Sequence, residues 1–142
     1  MEVARAISHL SKDPSTKVGA LFVDKEGGFL TSGYNGFPRG YDDSLIDTME
    51  REQKYKLVCH AEENGILQSA RQGISLKESK VYVCHLPTCI RCAVSLIQAG
   101  VKQVVLEETA FSVERWLTDW PATYELYRTC GVEVAVLPKE AI

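Results

Sequence analysis

Apolar positions along the chain recur at two different periods. Val3, Ala6, Ile7 and Leu10 follow helical spacing until Asp13-Pro14 interrupts the run, which predicts a helix near the start. Lys17 to Val23 and Phe29 to Tyr34 flank the polar turn Asp24-Lys25-Glu26-Gly27-Gly28, and that arrangement predicts a hairpin. Gly33 to Gly40 reads as a loop marked by glycine and proline. Asp47 is placed to cap a helix running through Met49 to Leu57, and a second helix is expected from near His60, carrying Ile66, Leu67 and Ala70 inward and ending at Gly73. Further on, Val81 to Val83 reads as a short buried strand, Cys89 to Gln98 as a helix stopped by Gly100, and Val104 to Leu106 as another strand. A helix broken near Pro121 precedes a last strand, Val132 to Leu137. Strand and helix alternate in the second half as in parallel βα units, so the expected fold is α/β, a mixed sheet with helices on both faces.

A chain of 142 residues with 45% hydrophobic and 25% charged positions is expected to form one soluble domain, 1–142. Its longest apolar run, near Val132 to Leu137, falls far short of the roughly 20 residues of a membrane helix. The N-terminus has no basic-then-apolar signal pattern, so the expected location is cytoplasmic. The net charge of -3 and a pI near 5.6 argue against long nucleic acid as a partner, because binding it calls for clustered lysine and arginine. Five cysteines, two of them in Cys89-Ile90-Arg91-Cys92, read as metal ligands rather than disulfides in such a chain.

Zinc takes nitrogen and sulfur donors in tetrahedral geometry, and a catalytic site leaves one of the four positions to water. His60, Cys89 and Cys92 supply three donors. The two cysteines lie one helical turn apart, and the amides at the start of their helix favour thiolates. Two thiolates cancel the charge of the ion and weaken its pull on water, so a separate base becomes useful; Glu62, two residues after His60, is placed to serve. The competing reading is a closed structural zinc knuckle with Cys84, Cys59 or His85 as fourth ligand. It leaves Glu62 without a purpose. Cys59, Cys84 and Cys130 read instead as buried small apolar residues.

His60-Ala61-Glu62 followed by Cys89-Ile90-Arg91-Cys92 resembles the signature of zinc nucleobase deaminases. In the usual motif proline directly precedes the first cysteine, whereas here Thr88 separates Pro87 from Cys89, a change in loop path rather than in ligands. With Ser11 to Ala20 (Ser-Lys-Asp-Pro-Ser-Thr-Lys-Val-Gly-Ala) and Gly33 to Gly40 (Gly-Tyr-Asn-Gly-Phe-Pro-Arg-Gly), the chain from Val3 to Val136 is similar to the deoxycytidylate (dCMP) deaminases of the zinc-dependent cytidine/deoxycytidylate deaminase family, phage members among them. The resemblance implies a three-layer αβα cytidine-deaminase-like fold with a mixed five-stranded sheet. It implies hydrolysis of dCMP to dUMP and ammonia, supplying dUMP for thymidylate synthesis, with dCTP as an alternative substrate. It further implies a homohexamer activated by dCTP and inhibited by dTTP, in the host cytoplasm if the chain is of phage origin. Some phage members carry a second, structural zinc; Asp13 stands where a cysteine of that site is expected, so one zinc per chain is the expectation here.

In this reading Glu62 takes a proton from the attacking water and passes it to N3 of cytosine, then relays one to the leaving amine, while the Ala61 backbone N–H holds ring O2, the last by resemblance. Asn35 offers a donor and an acceptor to a sugar hydroxyl, and Lys17 and Ser15 offer charge and hydroxyl to a monophosphate. Asn35, Gly36, Phe37, Arg39 and Asp42 form the expected effector loop, with Asp42 and Asp43 holding a magnesium carried in by a triphosphate. Trp116 and Trp120 read as core or interface. Two rival functions share parts of the pattern: deamination of tRNA adenosine or free cytosine, and a non-catalytic zinc-stabilised nucleotide-binding regulator.

Overall fold

The structure is a computed structural model and describes residues 1–139. Its helices are α1 (Glu2–Ser8), α2 (Arg51–Leu57), α3 (Ala61–Gln72), α4 (Ile90–Gln98) and α5 (Trp120–Thr129), and its strands β1 (Gly19–Val23), β2 (Phe29–Tyr34), β3 (Lys80–Val83), β4 (Gln103–Glu107) and β5 (Glu133–Leu137). The five strands form one sheet in the order β2-β1-β3-β4-β5. The pairs β1/β2 and β1/β3 are antiparallel, β3/β4 and β4/β5 parallel, so the sheet is mixed as expected. Among the described residues no helix is long and apolar enough to cross a membrane.

Strand alternation separates two apolar layers. Ala20, Phe22, Val81, Val83, Val104 and Leu106 turn to one face, where they pack with Ala61 of α3, Ala93 and Leu96 of α4 and Tyr127 of α5. Leu21 and Val23 turn to the other, against Ala4 of α1 and Cys84. Helices therefore cover both faces. Burying these strands on both sides explains why β1 reads as a continuous apolar run rather than an alternating one.

Helix α3 lies unusually close to the sheet. A Cβ at Gly33 would fall 2.2 Å from the Ala61 carbonyl oxygen, and one at Gly65 would fall 2.2 Å from the Phe22 ring. Glycine at both positions lets the first turn of α3, which carries the His60-Ala61-Glu62 segment, rest directly on β2 and β1.

Several expectations are corrected. The inward residues of α3 are Ala61, Glu62, Gly65 and Ser69, while Leu67 and Ala70 face outward; so close a backbone approach admits small side chains, not leucine. On α1, Ala4 and Ser8 are buried whereas Val3 is exposed, as is Leu10 just beyond the helix. Asp47 does not cap α2, which begins at Arg51; it ends a 3-10 turn, Asp43–Asp47, that is capped by Asp42. Pro121 does not break a helix but sits in the first turn of α5, where a missing N–H costs nothing. Cys130 is exposed and Cys59 half-buried; of the three cysteines expected in the core, only Cys84 is fully buried.

Candidate active site

Two helix starts bring the metal donors together. His60 immediately precedes α3, and Cys89 caps α4 with its sulfur accepting the Cys92 amide hydrogen at 3.4 Å. Because α3 and α4 pack side by side on one face of the sheet, these starts converge. His60 Nδ1 lies 3.5 Å from both Cys89 Sγ and Cys92 Sγ, and the three donor atoms all fall within 4.8 Å of one another. A tetrahedral zinc with bonds of about 2.1 Å to nitrogen and 2.3 Å to sulfur holds those atoms about 3.5 Å apart. One nitrogen and two sulfurs at this spacing fit zinc. Hydrogen bonding with Cys92 lowers the Cys89 thiol well below its ordinary range, and the same sharing raises Cys92. Hydrogen bonding with Cys89 also lifts His60 to about 9. A metal ion displaces all of these protons, which couples its affinity to pH.

The closed-knuckle alternative loses its fourth ligand. Cys84 lies on the opposite face of the sheet, where its sulfur accepts the Gly19 amide hydrogen at 3.3 Å and lies 3.5 Å from the Ala4 carbonyl oxygen. Burial pushes the Cys59 thiol up to about 12. Neither Cys59 nor His85 joins the donor group, which among the described residues consists of three side chains. Cys89 and His60 instead border a cavity of about 390 Å3 together with Ala61 and Glu62. An open position beside an acidic group is the pattern of a catalytic zinc site.

Glu62 is 4% exposed, and burial pushes its carboxyl up to about 7, where a group can both take and give a proton near neutrality. Thr88, the residue that departs from the usual motif, is buried with its hydroxyl 2.9 Å from the Tyr127 hydroxyl. That bond fastens the turn before Cys89 to α5.

The same cavity is also bordered by Arg51, Lys54 and Tyr55 of α2 and by Arg115 and Trp116. Arg115 lies over the Trp116 ring at 4.9 Å. Trp116 thus borders the cavity rather than lying in the core, while Trp120 packs edge-on against Phe111 as expected of a core residue. Lys54 pairs with Asp13 at 2.9 Å, both side chains largely buried, and Asp13 Oδ1 also accepts the amide hydrogens of Ser15 and Thr16. Ser15 borders the cavity. Lys17 does not: its ammonium donates to the Ser11 carbonyl oxygen at 2.8 Å. Asn35 borders the cavity but already serves its neighbours, Oδ1 accepting from Val18 N–H at 2.8 Å and Nδ2 donating to Thr16 O at 2.9 Å. One of its two amide hydrogens stays free of that brace.

Gly36, Phe37 and Arg39 border a second cavity of about 180 Å3, with Lys12, Tyr41 and Asp43. Two residues expected there are elsewhere. Asn35 belongs to the larger cavity, and Asp42 turns its carboxylate to Ser44, whose hydroxyl and amide hold it below the usual carboxylate range. Arg39 donates to Gln68 Oε1 at 2.7 Å. Reasoning from sequence missed Arg51, Lys54, Arg115 and Trp116 as cavity residues; nothing in their spacing marks them, since α2 and the 3-10 turn Glu114–Trp116 come to line one cavity only in the folded chain.

Comparison with known proteins follows the same lines. Residues 1–108 match the family described as "Cytidine and deoxycytidylate deaminase zinc-binding region". The chain is 38% identical over 142 residues to an uncharacterized deaminase in the luxG 3' region of Aliivibrio fischeri, covering 99% of this chain and 92% of that one. It is 36% identical over 148 residues to a probable deoxycytidylate deaminase of Caenorhabditis elegans, covering 99% and 70%. Among solved structures it superposes with a TM-score of 0.73 and 28% identity on the dCMP deaminase of cyanophage S-TIM5 in complex with dCMP and dUMP, over 96% of this chain and 92% of that one. With a three-donor zinc group and a buried acid at an open cavity, this chain belongs to the cytidine and deoxycytidylate deaminase family of zinc-dependent enzymes.

Proposed function

We propose that this enzyme hydrolyses dCMP to dUMP and ammonia, supplying dUMP for thymidylate synthesis. The observation that carries this reading is the lining of the 390 Å3 cavity, which places Arg51, Lys54 and Arg115 in one cavity with Glu62, His60 and Cys89. Cationic side chains in the same cavity as the catalytic acid favour a base that carries a monophosphate over a free base. The cyanophage relative with dCMP and dUMP supports the same substrate.

His60, Cys89 and Cys92 hold the zinc, which when bound supplies Lewis-acid activation of the attacking water. Glu62 takes a proton from that water and delivers it to N3 of cytosine. Oxygen bonds to C4 as the electrons of the C4–N3 double bond move to N3. Glu62 then carries the second water proton to the amino group; the C4–N bond breaks, ammonia leaves and C4 keeps the oxygen as a carbonyl. The Ala61 amide holds O2 through this cycle, and the free hydrogen of Asn35 Nδ2 binds the sugar hydroxyl. Ser15 and the guanidinium groups of Arg51 and Arg115 take the phosphate, Lys54 being shared with Asp13.

The smaller cavity at Gly36, Phe37 and Arg39 receives nucleoside triphosphates, dCTP activating and dTTP inhibiting, in a homohexamer. Asp43 rather than Asp42 faces the magnesium that a triphosphate carries. The deciding experiment is chromatography of cytidine, dCMP, CMP and dCTP after incubation with the zinc enzyme, with and without dTTP. Turnover of dCMP over the other three sustains the proposal. Equal turnover of cytidine removes the phosphate site, and a dCMP rate curve that neither triphosphate alters removes the regulatory reading.

A further inference from the structure

Glu107, at the end of β4, is completely buried, yet it is remote in sequence from the residues it holds. One carboxylate oxygen accepts Arg5 Nε at 3.0 Å and, more closely still, Arg5 Nη2. The other accepts the backbone N–H of His85 at 2.6 Å, with the His85 ring Nδ1 at 3.4 Å. His85 is one of two non-glycine residues with positive φ among those described, at 72°. The Leu86 amide bonds the Cys84 carbonyl across it at 3.0 Å, making a γ-turn of the rare, strained hand. This turn sits four residues before Cys89, in the loop that carries the chain from β3 to the zinc cysteines.

We propose that Glu107, supported by Arg5, is a positioning residue for the zinc cysteines. Its carboxylate holds the His85 amide, keeps the strained turn in place, and so fixes the approach of Cys89 and Cys92 before the metal arrives. The far end of the same loop is tied independently by Thr88 to Tyr127. Arg5 Nε and Nη2 donate to one carboxylate oxygen and the His85 amide to the other, so both oxygens are needed as acceptors. A glutamine in its place turns its amide hydrogens toward either the guanidinium or the His85 N–H, and one donor pair is left opposed. A glycine at position 85, in contrast, adopts φ 72° without side-chain strain and needs no such hold. This inference rests on His60, Cys89 and Cys92 being the zinc ligands.

The test compares Glu107→Gln, His85→Gly and the double variant with the wild type as zinc-loaded enzyme. It follows zinc release to a chromophoric chelator, with kcat and thermal stability measured alongside. Loss of a group that orients metal ligands typically costs about 10–100-fold in affinity or activity. Glu107→Gln is expected to release zinc at least about tenfold faster, His85→Gly alone to behave as the wild type, and the double variant to return to within about threefold of it. Faster melting with unchanged zinc release in Glu107→Gln overturns the proposal and leaves the pair as a tie between α1 and β4. A double variant no slower than Glu107→Gln overturns it as well. Should Glu107→Gln not fold, amide exchange of the zinc-stripped wild type decides: a protected His85 amide supports the hold, and exchange at the rate of a free loop refutes it. Zinc retention by a Cys92→Ala control fails the ligand assignment itself, which separates that failure from this one.

Discussion

Replacing Gly33 by alanine presses a methyl group into the first turn of α3. The added Cβ meets the Ala61 carbonyl oxygen at 2.2 Å and the Gly65 nitrogen at 2.4 Å. Both are backbone atoms, which no rotamer change removes. Ordinary contacts require at least 3.0 Å, so the helix start must retreat from β2 by about 0.8 Å. That start carries His60 and Glu62, and a misplacement of about 1 Å at a reacting group costs about 10²-fold in rate. Overpacking adds a destabilisation of about 1–3 kcal/mol. Gly36→Ala is the control, because nothing lies within 4 Å of its added Cβ. The assay is kcat for dCMP at saturating zinc, with zinc content by atomic absorption and a thermal melt on each variant. The expected outcome is a folded Gly33→Ala enzyme with kcat down about 10²-fold and a lowered melting temperature, beside a near-normal Gly36→Ala. Wild-type kcat and stability in Gly33→Ala would refute the claim that the close approach of α3 sets the position of Glu62.

Glu62→Gln is expected to keep its fold and zinc while turnover falls at least about 10²-fold, the low end for a general acid–base group; near-normal turnover in the zinc-replete variant removes the proton-transfer role. Zinc, about one per chain, is expected to be lost on Cys89→Ala or Cys92→Ala and kept on Cys84→Ala; metal loss on changing Cys84 would revive the structural knuckle. Burial raises the Asp13 carboxyl, but hydrogen bonds from Lys54, Ser15 and Thr16 outweigh it and leave the pKa below its ordinary value. A depressed folded pKa contributes stability above the unfolded value of about 3.9 and loses it as pH falls through the folded one. Urea melts of zinc-stripped wild type and Asp13→Asn should therefore differ at pH 7 and converge in acid, and a gap that stays constant with pH would count against the Lys54 pair.

The sheet and the metal donors were legible because their signals are local. β3, β4 and β5 are short apolar segments set off by Gly73, Gly100 and Gly131, and the Cys89–Cys92 spacing describes one turn of one helix. The inward face of α3 was not legible. Its close approach selects Gly65 and Ser69, residue types that carry no hydrophobic period, while Leu67 at 50% exposed imitates one. The cationic residues of the cavity were equally silent, since Arg51, Lys54 and Arg115 have the composition of any solvated helix or turn until the fold brings them to one cavity. Lys17 carries the charge a phosphate site calls for, yet its ammonium is held elsewhere. Its carbonyl partner at Ser11 comes from a loop path that charge patterning does not encode.

The hydroxyl pair between Thr88 and Tyr127 joins the zinc-binding stretch that the family match spans, residues 1–108, to a helix beyond it. Residues 1–108 are therefore not a portable zinc cassette. Transplanted alone, they would expose the Thr88 hydroxyl and the α4 surface that α5 covers, and the turn ahead of Cys89 would lose its second tether. Chimeras that exchange the C-terminal segments of related enzymes should be cut so that positions 88 and 127 travel together.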